Sequence, residues 1–317
     1  MASAKLKTRL ELELAPITRG IESAFALLPA ACRPCATHVM AAGGKRLRPF
    51  LVVMFARLMG NGDAAVYPLA ASMELLHAAT LLHDDILDNA QARRGQPAAH
   101  TLFGIPATIL AGDALLACGN AVVASYRKPA LCQAYSEATM RTAAGEIAEM
   151  AAVGRPDLAL ADYLAIAQGK TGCLIAQSCA MGAIFAGAPD AEAELAATFG
   201  ANLGAAFQIV DDALDFAPFA QTGKPSGSDL REGKPTPPIM FYRRDLPDKA
   251  AFDSRFGRFS QAEADAVSAA IAPYAAESLA LADQFLDQAR AALTAFPDCE
   301  EKQILAEMTD YIRNRRS

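Results

Sequence analysis

The sequence predicts an all-α fold, and three observations carry that prediction. Apolar residues recur with helical spacing from one end of the 317 residues to the other, and no convincing run of alternating strand residues emerges. The chain is rich in Ala, with few β-branched residues, 7% aromatics and no Trp, which favours helix over sheet. Helix breakers come as short clusters of Gly, Pro, Asn and Asp rather than as extended linkers. No composition shift divides the chain, so one large domain over residues 1–317 is expected.

Taken in order, helical segments are expected at 5–28 and 30–42, closed by Gly43-Gly44, and at 47–60, closed by Gly60-Asn61-Gly62. The segments 64–89 and 105–126 flank the breaker Gly95-Gln96-Pro97. A helix over 130–152 stops before Gly154-Arg155-Pro156, and one over 160–186 stops before Ala188-Pro189-Asp190. Helices at 192–217, 236–243, 260–296 and 300–315 complete the prediction. The exception is Gly223 to Pro238, a polar Gly- and Pro-rich segment too long for a simple turn. Loops of that length inside a compact domain are usually functional.

Composition excludes several classes. A formal net charge of −6, from 29 basic and 35 acidic residues, leaves no general nucleic-acid footprint, so any anion must be met by a local cluster of cations. Seven scattered cysteines argue against a disulfide framework, and Cys32-x-x-Cys35 without a second pair is a weak redox or metal signal. Lys5, Lys7 and Arg9 are followed by no apolar signal-peptide core. The uncharged stretches Gly95–Gly112 and Thr171–Ala188 are broken or rich in small and polar residues, and read as buried core helices with no membrane span. A cytoplasmic protein is expected.

Two segments repeat one pattern. Leu82-His83-Asp84-Asp85-Ile86-Leu87-Asp88 and Ile209-Val210-Asp211-Asp212-Ala213-Leu214-Asp215 each place D-D-x-x-D on an apolar helix. Residues four apart share a helix face, so Asp84 pairs with Asp88 and Asp211 with Asp215. Asp85 and Asp212 fall at the rim, as outer partners of the ligands. Carboxylates set among Leu, Ile, Val and Phe repel one another unless a cation neutralises them. Oxygen-only ligands suit Mg²⁺, which commonly completes its shell with substrate phosphates.

Candidate phosphate ligands lie along the same chain. Gly43-Gly44-Lys45-Arg46-Leu47-Arg48-Pro49 is a glycine turn opening a helix, with Lys45 and Arg48 beside its N–H groups. Arg93-Arg94-Gly95 follows the first Asp motif, and guanidinium forks suit diphosphate oxygens. Lys170-Thr171 interrupts an apolar helix, where an unpaired Lys is costly unless it faces an anion. Lys224 and Lys234 sit on the long Gly/Pro-rich segment, which reads as a lid over phosphate.

With these residues in this order, the sequence resembles the trans-isoprenyl diphosphate synthase family. Gly43–Pro49, His77, both Asp motifs, Arg93-Arg94-Gly95, Gly112-Asp113, Gly145-Glu146, Lys170-Thr171, Phe207-Gln208, Gly223-Lys224 and Gly233-Lys234 carry the resemblance. It implies antiparallel helices around a deep central cavity, normally in a homodimer. It also implies head-to-tail condensation of an allylic diphosphate with isopentenyl diphosphate. By the same resemblance, Asp84, Asp88 and Asp211 would ligate three Mg²⁺ ions on the allylic diphosphate, supported by Asp85, Asp212 and Asp215. Arg93, Lys170, Lys224 and Lys234 would stabilise the departing diphosphate, with Thr171 and Gln208 lining the site. Gly44, Lys45, Arg48, His77 and Arg94 would hold isopentenyl diphosphate. Two positions depart from the family pattern: Glu149, where relatives often have Gln, and Pro237, where they more often have Leu.

Product length follows from a helical ruler. One turn rises about 5.4 Å, roughly one isoprene unit, so side chains a turn below the carboxylates limit the tail. Ala79 and Thr80 hold those positions and neither is aromatic. In the family a Phe or Tyr there accompanies short products, so a product longer than C15 is expected, with Leu75 and Leu76 as the next stoppers. The rivals are a short-chain farnesyl or geranylgeranyl diphosphate synthase, a non-catalytic subunit of a heteromeric synthase, and a terpene cyclase. The last would not need the Gly43–Pro49 anion site.

Overall fold

A computed structural model describes residues 4–217 and 227–315. Its contacts divide the chain into two compact units. The first comprises 4–139 and 177–197, the second 140–176 and everything described from 198 onward.

The first unit holds α1 (Ala4–Phe25), α2 (Arg33–Ala41), α3 (Leu47–Leu58), α4 (Val66–Leu87), α5 (Ala99–Phe103) and α6 (Ile105–Ser125). Parts of α7 (Pro129–Ala152), α9 (Cys173–Ala186) and α10 (Asp190–Leu214) belong to it as well. Helix α4 packs against α1, α3 and α6. It can do so because it is apolar around most of its circumference, burying Leu69, Met73, Leu75, Leu76, Ala79 and Leu82 among others. Each such Leu contributes on the order of 1.5–3 kcal/mol by leaving water. The charges inside this unit are matched. Buried Glu13 meets Arg57 at 3.2 Å and the Tyr67 hydroxyl at 2.8 Å, and buried Glu74 meets Arg46 at 2.5 Å.

Among the described residues α6 alone is long and apolar enough to cross a membrane. It packs on α4 through one face only, and the expectation that Gly95–Gly112 forms buried core is corrected: residues 101–107 are exposed, as are Ile109 and Leu110.

The second unit contains the remainder of α7, α9 and α10, then α8 (Leu160–Ala167), α11 (Ser228–Glu232), α12 (Pro237–Asp245), α13 (Lys249–Asp253), α14 (Gln261–Ile271), α15 (Ala275–Leu293) and α16 (Glu300–Arg313). A satellite core of Phe216, Leu230, Ile239, Phe252, Phe256, Phe259 and Ile271 ties the short helices together. Ser260 opens α14 with a capping box closed by Glu263, satisfying two otherwise orphaned N–H groups.

The structure departs from the sequence expectation in several places, among them the short helices α5 and α13, which lie where no helix is expected. The helix expected over 260–296 is two helices joined by a 3₁₀ turn at Ala272–Tyr274, because Pro273 cannot donate to the helical ladder. The helix expected over 160–186 is interrupted by a π-turn at Gln168–Gly172. A two-residue antiparallel pair, Ala92–Arg93 with Gln96–Pro97, occupies the breaker after α4, where no strand is expected. Finally, the long Gly/Pro-rich segment is not all loop, since Ser228–Glu232 forms a helix. Residues 218–226, with Gly223 and Lys224, lie outside the described residues.

Candidate functional site

The residues singled out by sequence fall into two sets, one in each unit. In the first unit, α4 carries His77, Asp84 and Asp85 and ends at Leu87, so Asp88 is the cap rather than a mid-helix residue. Its N–H still donates to the Asp84 carbonyl at 2.8 Å, which keeps the helical register between the two carboxylates. Asp85 is buried and accepts Arg93 Nε at 2.6 Å, whereas Asp84 is half-buried and Asp88 exposed. Arg93, expected to act on diphosphate, thus also neutralises the buried member of the motif.

The glycine turn is built for close approach. Gly43 adopts φ +78°, which favours glycine, and its carbonyl accepts a hydrogen bond from Arg94 Nη1. Arg46 caps α3 and sends its guanidinium to Glu74 and to the Met40 carbonyl at 2.9 Å. Lys45 and Gly44 are exposed and Arg48 is half-buried at the start of α3. Four arginines act on His77. Burial, then the charges of Arg48, Arg94, Arg93 and Arg46, hold its imidazole well below the usual histidine range. Guanidiniums gathered this way repel one another, and an anion of fork-like geometry relieves the repulsion.

A neutral His77 has a consequence for stability. Its folded pKa is depressed, so below about pH 6.5 the unfolded chain takes up a proton that the folded chain refuses. Stability should therefore fall on acidification below pH 6.5, by at most about 1.4 kcal/mol per pH unit from this group. Replacing His77 by Gln should flatten that acid limb in urea unfolding at pH 5 and pH 7; an unchanged slope would refute the assignment.

Of the two ruler residues, Ala79 is wholly enclosed. Thr80 is half-buried, and its hydroxyl donates to the His77 carbonyl at 2.8 Å.

The second unit encloses a cavity of about 640 Å³, and the second Asp motif lines it together with Lys170, Thr171, Gln208 and Lys234. Helix α10 ends at Leu214, so Asp215, like Asp88, stands just past its helix. Asp211 is exposed into the opening and accepts Arg315 Nη2 at 2.9 Å, while the Arg315 guanidinium lies 4.8 Å from the Phe207 ring centroid. Asp212 is buried. It accepts the Tyr163 hydroxyl and, at 2.8 Å, the amide of Gln208, whose own oxygen accepts the Thr171 hydroxyl at 2.8 Å. Burial pushes the Asp212 carboxyl up to about 7, against the pull of Tyr163 and Gln208 and with a further push from Asp211 and Glu149. Asp215 accepts Ser228 Oγ and, at 3.0 Å, the N–H of Asp229. Burial, with Asp212 and Asp215 nearby, raises the Asp229 carboxyl well above its ordinary range.

Lys170 sits on the π-turn, the kind of helix defect often found at functional sites. The turn brings its backbone against Gly145 of α7: a Cβ there would lie 2.3 Å from the Lys170 nitrogen, so no side chain fits. The anions that Lys170 faces in the structure are carboxylates of the protein itself. Lys170 Nζ is 2.8 Å from Glu146 and also bonds Glu149. Burial alone would lower its pKa, but the two carboxylates more than offset this and raise it. Lys234 pairs with Glu232 at 2.8 Å.

In each motif the middle acid is buried and bound by protein donors, Asp85 by Arg93 and Asp212 by Tyr163 and Gln208, while the first acid is more exposed, Asp84 half-buried and Asp211 exposed with Arg315 on it. The last acids differ: Asp88 is exposed, whereas Asp215 is half-buried and held by Ser228 and the Asp229 N–H. Among the described residues no three Asp, Glu, His or Cys side chains converge as a ready-made metal cage. That donor set suits a cation held by one or two carboxylates and completed by phosphate oxygens. Tyr163, Asp229, Glu146, Glu149 and Arg315 also line or brace the cavity region, and sequence reasoning gave them no role. Gly145-Glu146 stood out only as part of a pattern and Glu149 only as a departure from it; Tyr163, Asp229 and Arg315 carry no local signature.

Comparison with known proteins shows the family and the fold. A sequence model of the polyprenyl synthetase family matches residues 29–272. The chain is similar to heptaprenyl diphosphate synthase component 2 of Geobacillus stearothermophilus, with 35% identity over 94% of this chain and 93% of that one. It is also similar to nonaprenyl diphosphate synthase of Mycobacterium tuberculosis, with 34% identity over 88% of this chain and 85% of that one. Among solved structures, a polyprenyl synthase from Caulobacter crescentus complexed with calcium and isoprenyl diphosphate superposes with a TM-score of 0.92. That match has 34% identity and covers 100% of this chain and 99% of the other.

Proposed function

Because the chain belongs to the polyprenyl synthetase family, whose matched relatives are prenyltransferases, we propose that it is a Mg²⁺-dependent trans-polyprenyl diphosphate synthase, condensing an allylic diphosphate with isopentenyl diphosphate. One observation carries the reading of the site. The cavity of the second unit sets the acids of a D-D-x-x-D helix opposite Lys170 and Lys234, the two charge types a metal-bound diphosphate requires.

Mg²⁺ held by Asp84 and Asp88 on the first motif, and by Asp211 on the second, would supply Lewis-acid polarisation of a leaving diphosphate. The chain's own residues do the rest. Lys170 and Lys234 offer ammonium donors to the charge that develops on the diphosphate. Tyr163, Gln208 and Thr171 fix Asp212, and Ser228 with the Asp229 N–H fixes Asp215, so the motif keeps its shape as charge shifts. The arginines around neutral His77 form the second anion site, for isopentenyl diphosphate.

A product longer than C15 is supported by the hepta- and nonaprenyl synthases among the relatives and by the non-aromatic Ala79 and Thr80. For assembly we propose a homodimer, since Leu102, Phe103, Ile105, Ile109 and Leu110 present exposed apolar side chains on α5 and α6. The matched relative named as a component 2 keeps a heteromeric assembly as the second reading. We place the protein in the cytoplasm; its seven cysteines are all free.

The test is incubation of the purified chain with labelled isopentenyl diphosphate, Mg²⁺ and primers of increasing length, followed by product chromatography. Products beyond C15 are expected from this chain alone. Products ending at C15 or C20 would establish a short-chain synthase, and activity only after addition of a second polypeptide would establish the heteromeric reading.

A further inference from the structure

The geometry points to Glu149 as the residue that makes the site select metal-bound diphosphate over free diphosphate, by occupying Lys170 until a cation arrives. This inference rests on the diphosphate reading of the cavity. Lys170 Nζ is held between Glu146 at 2.8 Å and Glu149, two acids spaced i, i+3 on α7. The two acids are not equivalent. Glu146 is largely buried, with its side chain 11% exposed, whereas Glu149 is 24% exposed and lines the cavity itself. Glu149 is thus the carboxylate that an incoming ligand meets when it reaches for the lysine.

Its surroundings decide what happens next. Asp211, Asp212, Asp215 and Asp229 line the same cavity, and Glu149 adds to the upward push on the Asp212 carboxyl. A bare diphosphate entering this pocket meets those carboxylates together with cations most of which are already matched: Lys170 by two acids, Lys234 by Glu232 and Arg315 by Asp211, with Arg231 beside them. Displacing Glu149 from Lys170 would also leave a partly enclosed carboxylate without its partner, which is unfavourable. A diphosphate accompanied by divalent cations has neither difficulty, because the cations neutralise the Asp motif and offset the freed Glu149. Glutamine at 149 would have nearly the same shape and could still hydrogen-bond the lysine, but without opposing its charge. Glu149 is therefore a positioning residue acting through Lys170.

The experiment measures calorimetric binding of inorganic diphosphate to the full chain, in EDTA and in Mg²⁺, for wild type, Glu149→Gln, Lys170→Met and the double variant. Wild type should bind with Mg²⁺ and only weakly in EDTA. Glu149→Gln should tighten binding in EDTA by about fivefold, what about 1 kcal/mol for one partly exposed charge contact is worth, while changing binding in Mg²⁺ by less than twofold. In the Lys170→Met background the same substitution should give no such gain, because there is no lysine to release. Thermal unfolding of each variant identifies any that fail to fold, and Glu149→Asp, which keeps the charge, should retain the wild-type preference for Mg²⁺. Equal binding of wild type and Glu149→Gln in EDTA, within twofold, would overturn the role of Glu149 and leave the diphosphate reading standing. Wild type that binds no diphosphate even in Mg²⁺ would overturn both.

Discussion

Asp211→Asn is expected to lower kcat for isopentenyl diphosphate consumption by about a hundred- to a thousandfold, while leaving the fold almost untouched. Asp211 is half-exposed and, among the described residues, Arg315 bonds it at 2.9 Å. A solvent-screened ion pair of that kind contributes about 0–1 kcal/mol, so the melting temperature should move by no more than a few degrees. Its catalytic worth is larger because charge develops on the leaving group only in the transition state, and removal of one such stabilising group typically costs 10²–10³ in rate. The amide retains the shape of the carboxylate and can still accept from Arg315, which separates charge from packing. Retention of activity within twofold would remove Asp211 from the reaction. The measurement is a pair of steady-state assays at saturating Mg²⁺ together with a thermal melt.

Ala79→Phe is expected to shorten the product to C15–C20. Asp84 lies five residues further along α4, so the new ring would stand about 7.5 Å below the carboxylates along the helix axis. Ala79 is wholly enclosed, so a ring there also overpacks its surroundings, at a cost of about 1–3 kcal/mol. For that reason Thr80→Phe, at the half-buried neighbouring position, is the companion variant. Product chromatography reads both. If both variants fold and both make the wild-type length, the ruler on α4 is wrong. Shortening by Thr80→Phe alone would place the ruler on the face that also carries Asp84, four residues away.

The helical class was legible because it depends on periodicity, which is a local property repeated many times along the chain. The D-D-x-x-D helices were legible for a related reason: carboxylates inside Leu, Ile and Val runs contradict the local pattern and demand a cause. What escaped was pairing at a distance in sequence. Lys170 looked unpaired because Glu146 and Glu149 lie 24 and 21 positions earlier on a different helix, and no spacing rule connects them. Tyr163 and Asp229 are invisible for the same reason, each meaning little until the fold brings it to the second Asp motif. The break at Ala272–Tyr274 could have been read, since Pro273 stands inside the expected helix. The π-turn could not, because Gln168-Gly169-Lys170-Thr171-Gly172 lies within an otherwise regular helical pattern, and the insertion shows only in the backbone.

That turn fixes an angular phase. A π-turn accommodates one residue beyond the α-helical repeat, so the helix that leaves it is rotated by about 100° from where an unbroken helix would point. Everything downstream on α9 faces its neighbours because of that offset, and Lys170 stands within the arc where the offset is made. Sliding the chain by a single residue to regain an ordinary helix would mend the backbone ladder and re-aim every side chain of α9, whose residues 173–183 are all buried. The local irregularity and the regular core are therefore one solution to one sequence, with the lysine placed where the two phases meet.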